Sequence, residues 1–151
     1  MIAPLQTEIP EPSGPVLLFD GECGLCQRIV HRLLRIDRAG RLHFAPLQGA
    51  AAQEFLRGRG LPTADFDTLI FVPDWRSRTH GPFLVRTDGV IAALRATGRG
   101  VARTVAALLA VFPAGLRDAG YRGVARWRYR LFGPWRAGPA LAASGPERFL
   151  D

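Results

Sequence analysis

Cysteine is nearly absent from this chain, with two in 151 residues. So few exclude a framework of structural disulfides and a zinc site closed by two cysteine pairs. Lysine is missing altogether, so the formal charge of +7 rests on arginine alone. Only three histidines occur, and His31, His43 and His80 form no pair at ligand spacing. The longest apolar run, residues 105–113, falls well short of the ~20 residues that a membrane-spanning helix needs. Residues 1–15 show no basic start leading into an apolar stretch, which argues against a secretory signal. With Pro4, Pro10, Pro12 and Pro15 among polar residues, that stretch is expected to be a flexible leader, and a cytoplasmic setting is expected for the whole.

What the chain does have is a concentration of its rarest residue. Both cysteines stand together as Cys23-Gly24-Leu25-Cys26, just after the apolar run Val16-Leu17-Leu18-Phe19 and the turn residues Asp20-Gly21-Glu22. Strand, turn, cysteine pair and helix in that order suit thiol–disulfide exchange. The first sulfur lies at a helix start, where N–H groups and the helix dipole stabilise a thiolate. The second, three positions on, faces the same side. As nucleophile, Cys23 has to be accessible and partly ionised, and the helix start and Arg28 both lower its pKa. Attack on a disulfide yields a mixed disulfide that Cys26, expected to be the more buried and less acidic thiol, resolves. A bridge between residues so close encloses a very short loop and stabilises the fold little, so a structural staple is the weakest explanation.

Asp20 admits two readings: a proton shuttle for Cys26, or an acceptor for the N–H groups of the turn. Glu22 is expected to be exposed. Other chemistries fit less well. A metal site needs two ligands beyond the cysteine pair, and covalent haem attachment needs histidine where Gln27 stands. Asp20 looks superficially like the strand-end aspartate of haloacid-dehalogenase phosphatases, but Glu22 occupies the place of the second aspartate. Gly98-Arg99-Gly100 is no dinucleotide fingerprint, since Arg103 replaces the third glycine and no strand precedes it. Arg122, Arg126, Arg128 and Arg130, interleaved with Tyr121, Trp127 and Tyr129, read as a solvated helix face whose aromatics dock on the core.

Hydrophobic patterning predicts strands at 16–20, 42–45 and 68–72, with a returning hairpin strand at 83–86. Helices are predicted at 24–37, where Ile29, Val30, Leu33, Leu34 and Ile36 recur at helical spacing, and at 50–57. A further helix follows residue 86, with Thr87 or Asp88 as its cap, then helices at 101–112 and about 121–132. Strand–helix–strand–helix–strand–strand–helix is the core of a thioredoxin-like α/β fold: a mixed four-stranded sheet flanked by helices, here with extra C-terminal helices. The expected organisation is a leader at 1–15, one domain at 16–133, and an irregular tail at 134–151.

The sequence resembles the DCC family of thiol–disulfide oxidoreductases, named for an aspartate and two cysteines. Leu18-Phe19-Asp20-Gly21-Glu22-Cys23-Gly24-Leu25-Cys26 carries the resemblance, with Phe44-Ala45-Pro46-Leu47-Gln48, Asp67-Thr68-Leu69, Arg86-Thr87-Asp88 and the tract from Tyr121 to Gly133 following in order. The resemblance implies a thioredoxin-like fold, dithiol–disulfide activity, and Asp20, Cys23 and Cys26 as the site. The expected function is reduction of a partner's disulfide, with no cofactor or metal of its own. The expected partners are a disulfide-containing protein or small thiol and an unidentified electron donor, with no nucleic acid and no membrane. The alternative is a non-enzymatic module whose cysteine pair binds a metal or a partner.

Overall fold

A computed structural model describes residues 11–64, 66, 68–98, 100–132 and 148–150. Its sheet is built from β1 (Val16–Phe19), β2 (His43–Pro46), β3 (Ile70–Val72) and β4 (Leu84–Val85) in the order β2-β1-β3-β4. β1 runs parallel to β2 and antiparallel to β3, and β3 pairs antiparallel with β4. The parallel pair requires a crossover, which α1 (Gly24–Ile36) supplies. α2 (Ala50–Gly58) links β2 toward β3, and α3 (Arg86–Ala96), α4 (Gly100–Val111) and α5 (Ala114–Phe132) follow the hairpin. This is the α/β arrangement the element order predicts.

β1 is apolar without alternation because helices cover both faces of the sheet. Leu17 and Phe19 enter one core with Val30, Leu33, Phe44 and Phe71. Val16 and Leu18 enter the other with Ala52, Phe55, Leu56 and Trp75. The period of two along one short strand thus joins two cores. At ~1.5–3 kcal/mol for each large apolar side chain removed from water, these four buried residues make β1 the axis of the fold.

The periphery departs from the sequence reading in three places. Arg86, expected in the returning strand, turns the chain with a φ of 55°. There its N–H donates to the Leu69 carbonyl and to Thr68 Oγ1. Val85 therefore takes the cap position of α3 without any side-chain cap, and Thr87 and Asp88 are diverted. Thr87 donates to Asp118 Oδ1, and Asp88 accepts from Arg117 at 2.9 Å, tying α3 to α5. Second, α5 starts at Ala114 rather than near residue 121. It meets α4 at a bend of 110°.

Third, the last described residues are not irregular. Phe149 makes a parallel bridge to Phe44, and the Leu150 N–H donates to the Phe44 carbonyl at 2.8 Å, extending the sheet beyond β2. Arg148 forms an ion pair with Asp37, whose carboxylate also accepts the Leu42 and Arg41 N–H groups after α1. Residues 134–147 of the expected tail and 1–10 of the expected leader lie outside the described residues. The leader's end is tied down: Glu11 pairs with Arg78 at 2.7 Å, and the Gly14 carbonyl accepts the Trp75 N–H.

His43 sits beside this C-terminal clamp, with Nδ1 buried and unsatisfied among the described residues. Burial, then the Arg148 charge, hold its pKa below the ordinary 6.5, outweighing the opposing influence of Asp37 and a backbone hydrogen bond. Below 6.5 the unfolded chain gains a proton here that the folded chain does not, so this site lowers stability as pH falls. Urea unfolding between about pH 8 and about pH 5 should show that loss, and His43→Gln should flatten it. An unchanged slope in the variant would place the acid sensitivity elsewhere.

Candidate functional site

The site grows from the end of β1. The Cys23 N–H donates back to the Asp20 carbonyl at 3.3 Å, closing a tight turn through Gly21 and Glu22. Gly21 fits a crowded place: a Cβ there would lie 3.1 Å from Gln48 Oε1 and 3.2 Å from Pro46 Cβ, so those neighbours would have to give way. Asp20 is buried, and its Oδ1 accepts the Glu22 N–H at 3.0 Å and Gln48 Nε2 at 2.8 Å. Gln48 also accepts the Gly21 N–H at 3.0 Å, while Gln27 Nε2 donates to the Gly21 carbonyl at 2.9 Å. Two glutamines thus brace the turn that presents the cysteines. Sequence reasoning assigned them no part, although Gln27 directly follows Cys26 and Gln48 closes the second stretch that carries the family resemblance. Of the two readings of Asp20, turn acceptor is the one visible in this geometry. Glu22 is exposed, as expected.

Cys23 is the N-cap of α1, in extended conformation, and its Sγ accepts the Cys26 N–H at 3.5 Å. A cysteine thereby does what serine or aspartate does at most helix starts. The first turn of α1 contains no acidic residue to compete for its dipole. Both residues stand as thiols. The cap geometry favours negative charge on the first sulfur, through a directed N–H and the positive helix end.

Accessibility differs from expectation. Cys23 was expected at an open surface with Cys26 deeper, yet Cys23 is 0% exposed and Cys26 6%. The cause is twofold. The cap conformation turns Cys23 into the core beneath the sheet, among residues including Leu17, Val30 and Phe44. In addition, α5 lies across the mouth of the site. Leu25, Cys26, Ile29 and Leu69 face Tyr121, Val124 and Ala125 of α5 around a void of only about 30 Å³. Tyr121 Oη accepts the Leu69 N–H at 3.0 Å, securing α5 to the start of β3. Among the described residues no three His, Cys, Asp or Glu side chains gather as a metal site would need.

A cysteine pair at the start of the first helix, beside the central strand of a sheet ordered β2-β1-β3-β4, defines a thioredoxin-like protein. More narrowly, residues 17–134 match the DCC1-like thiol-disulfide oxidoreductase family, and the chain belongs to it. It is 34% identical over 135 residues to the uncharacterized protein YuxK of Bacillus subtilis (strain 168), spanning 89% of this chain and 93% of that one. It is 28% identical over 123 residues to the chloroplastic DCC family protein At1g52590 of Arabidopsis thaliana, spanning 82% of this chain and 67% of that one. No solved structure matches significantly.

The burial of the thiols generates a test. Tyr121→Phe removes the acceptor of the Leu69 N–H, a loss of about 1 kcal/mol. If α5 is the cover, the cysteines should then react with iodoacetamide about fivefold faster, with the fold retained by circular dichroism. An unchanged alkylation rate would assign the protection to another element.

Proposed function

We propose that this chain is a thiol–disulfide oxidoreductase in which Cys23 and Cys26 cycle between dithiol and disulfide. The observation that carries the reading is the Cys26 N–H directed at Cys23 Sγ at the start of α1. That contact selects Cys23 as the thiolate. It attacks one sulfur of a partner disulfide, forming the Cys23–substrate disulfide and releasing the partner's other sulfur as thiolate. Cys26 then loses its proton and attacks Cys23 Sγ, releasing the second substrate thiolate and leaving a Cys23–Cys26 disulfide. The partner has gained two electrons and the protein has lost two, so a thiol-based donor must restore the dithiol. In a reducing compartment such as the cytoplasm, the cycle runs toward reduction of the partner.

Asp20 receives the proton that Cys26 gives up. Its buried position at the end of β1, directly before the turn that carries the cysteines, supports that role. Because both thiols are buried and α5 packs over Cys26, turnover includes a displacement of α5 that opens the pair to the partner disulfide. Cover and chemistry are then successive steps, and the cover selects partners able to reach an apolar crevice.

Cys23→Ser should abolish turnover in a thiol-exchange assay, whereas Cys26→Ser should accumulate mixed disulfides visible on non-reducing gels. Asp20→Asn should slow the resolving step, so that mixed disulfide accumulates, while leaving the first attack intact. Full activity in both cysteine variants would defeat the reading.

A further inference from the structure

α4 carries more uncovered hydrocarbon than its place in the fold accounts for. Val101, Val105, Leu108 and Phe112 are 80%, 41%, 62% and 52% exposed. Steps of four, three and four residues align them along one face. Ala102 and Ala106 form the buried face that meets the protein. The exposed stripe borders an open groove of about 790 Å³ between α1, α3 and α4, with apolar walls that include Ile29, Leu33, Val90 and Leu94. Among the described residues, the only charged ones lining that groove are Arg32 and Arg35. α4 itself contains no acidic residue and one arginine, Arg103.

We propose that this face docks on the surface of an anionic lipid bilayer, with the apolar stripe of α4 entering the headgroup–acyl boundary and Arg32 and Arg35 meeting lipid phosphates. A contiguous apolar surface rimmed by polar residues marks a protein or membrane contact. Here charge decides between the occupants. A second copy of a chain with net charge +7 would bring arginine toward arginine, whereas anionic headgroups complement them. Extent decides against a single bound amphiphile. The exposed apolar positions continue past the groove to Phe112 and, beyond the bend, to Leu116 at 59%, and a molecule held in the groove would leave them bare. The contact is superficial. No single helix among the described residues is long and apolar enough to cross a membrane, and the bend of 110° between α4 and α5 keeps the two from acting as one rod. The inference departs from the sequence expectation of no membrane partner, and it stands independently of the redox reading.

The test is co-sedimentation of the full chain with phosphatidylcholine vesicles and with vesicles that also contain phosphatidylglycerol. Binding is expected only to the second kind, weakening as salt rises. Arg32→Gln and Arg35→Gln should each lower the affinity about fivefold. Leu108→Glu combined with Phe112→Glu should lower it at least tenfold, with circular dichroism and cysteine alkylation unchanged because both sites are exposed. Equal binding to both vesicles, or binding to neither, overturns the proposal. So does a solution dimer that Leu108→Glu separates, or uptake of monomeric decanoate without vesicle binding.

Discussion

The contact on which this molecule turns is the N–H of Cys26 aimed at the sulfur of Cys23. A helix start leaves N–H donors unsatisfied, and here a sulfur takes the place of the usual oxygen. Helix formation and a directed donor at the first sulfur therefore come from one geometry. Everything upstream serves to hold it. β1 is anchored in both cores, so its end cannot drift. The Asp20 turn is braced by Gln27 of α1 and by Gln48 of the turn after β2. Gly21 lets Pro46 and Gln48 sit closer than they comfortably would to a Cβ.

Local features of this arrangement were legible in the sequence. The apolar block at β1, the 3.6-residue period of α1 and the cysteines at their junction are short-range signals, and the order of elements then restricts the topology. What could not be read depends on partners distant in the chain. Thr87 and Asp88 look like helix caps because caps are a local pattern, but Asp118 and Arg117 recruit them across 31 and 29 positions. α5 begins early although Gly115, Gly120 and Gly123 dilute its helical pattern; tethering to α3 offsets their low propensity. The Arg148–Asp37 pair spans 111 positions, beyond any pattern argument. The closing of the approach to Cys26 belongs with these, since the residues facing it arrive from α5.

Arginine serves this chain in two ways. Some guanidinium groups are structural: Arg59 donates to the Arg78 and Gly81 carbonyls while lying over the Phe83 ring, and Arg148 reaches Asp37 and the Leu42 carbonyl over Phe44. Planar, multiply donating and weakly hydrated, they satisfy loop carbonyls while covering aromatic rings, which an ammonium does less well. Others, such as Arg32 and Arg35, stand exposed beside apolar surface. Part-buried donors stabilise this fold; exposed ones leave the positive charge available to partners outside it.

Energetically the site is unevenly built, and the unevenness bears on how it works. The floor rests on β1 and two apolar cores, whose disruption costs several kcal/mol for each large side chain. The cover rests on much less. A side-chain to backbone hydrogen bond such as Tyr121–Leu69 contributes about 1 kcal/mol, and the half-exposed Arg117–Asp88 pair about 0–1 kcal/mol. Local opening follows the weaker set of contacts, so on the proposed redox reading α5 is the element that separates while the sheet and the cap stay formed. Desolvation opposes ionisation of a sealed thiol, and a helix end offers about 2 kcal/mol at best against it. With α5 displaced, water relieves the desolvation but the N–H of Cys26 remains in place. On this reading the nucleophile gains its charge at the moment it becomes reachable, and the closed molecule shields its own dithiol from indiscriminate oxidation.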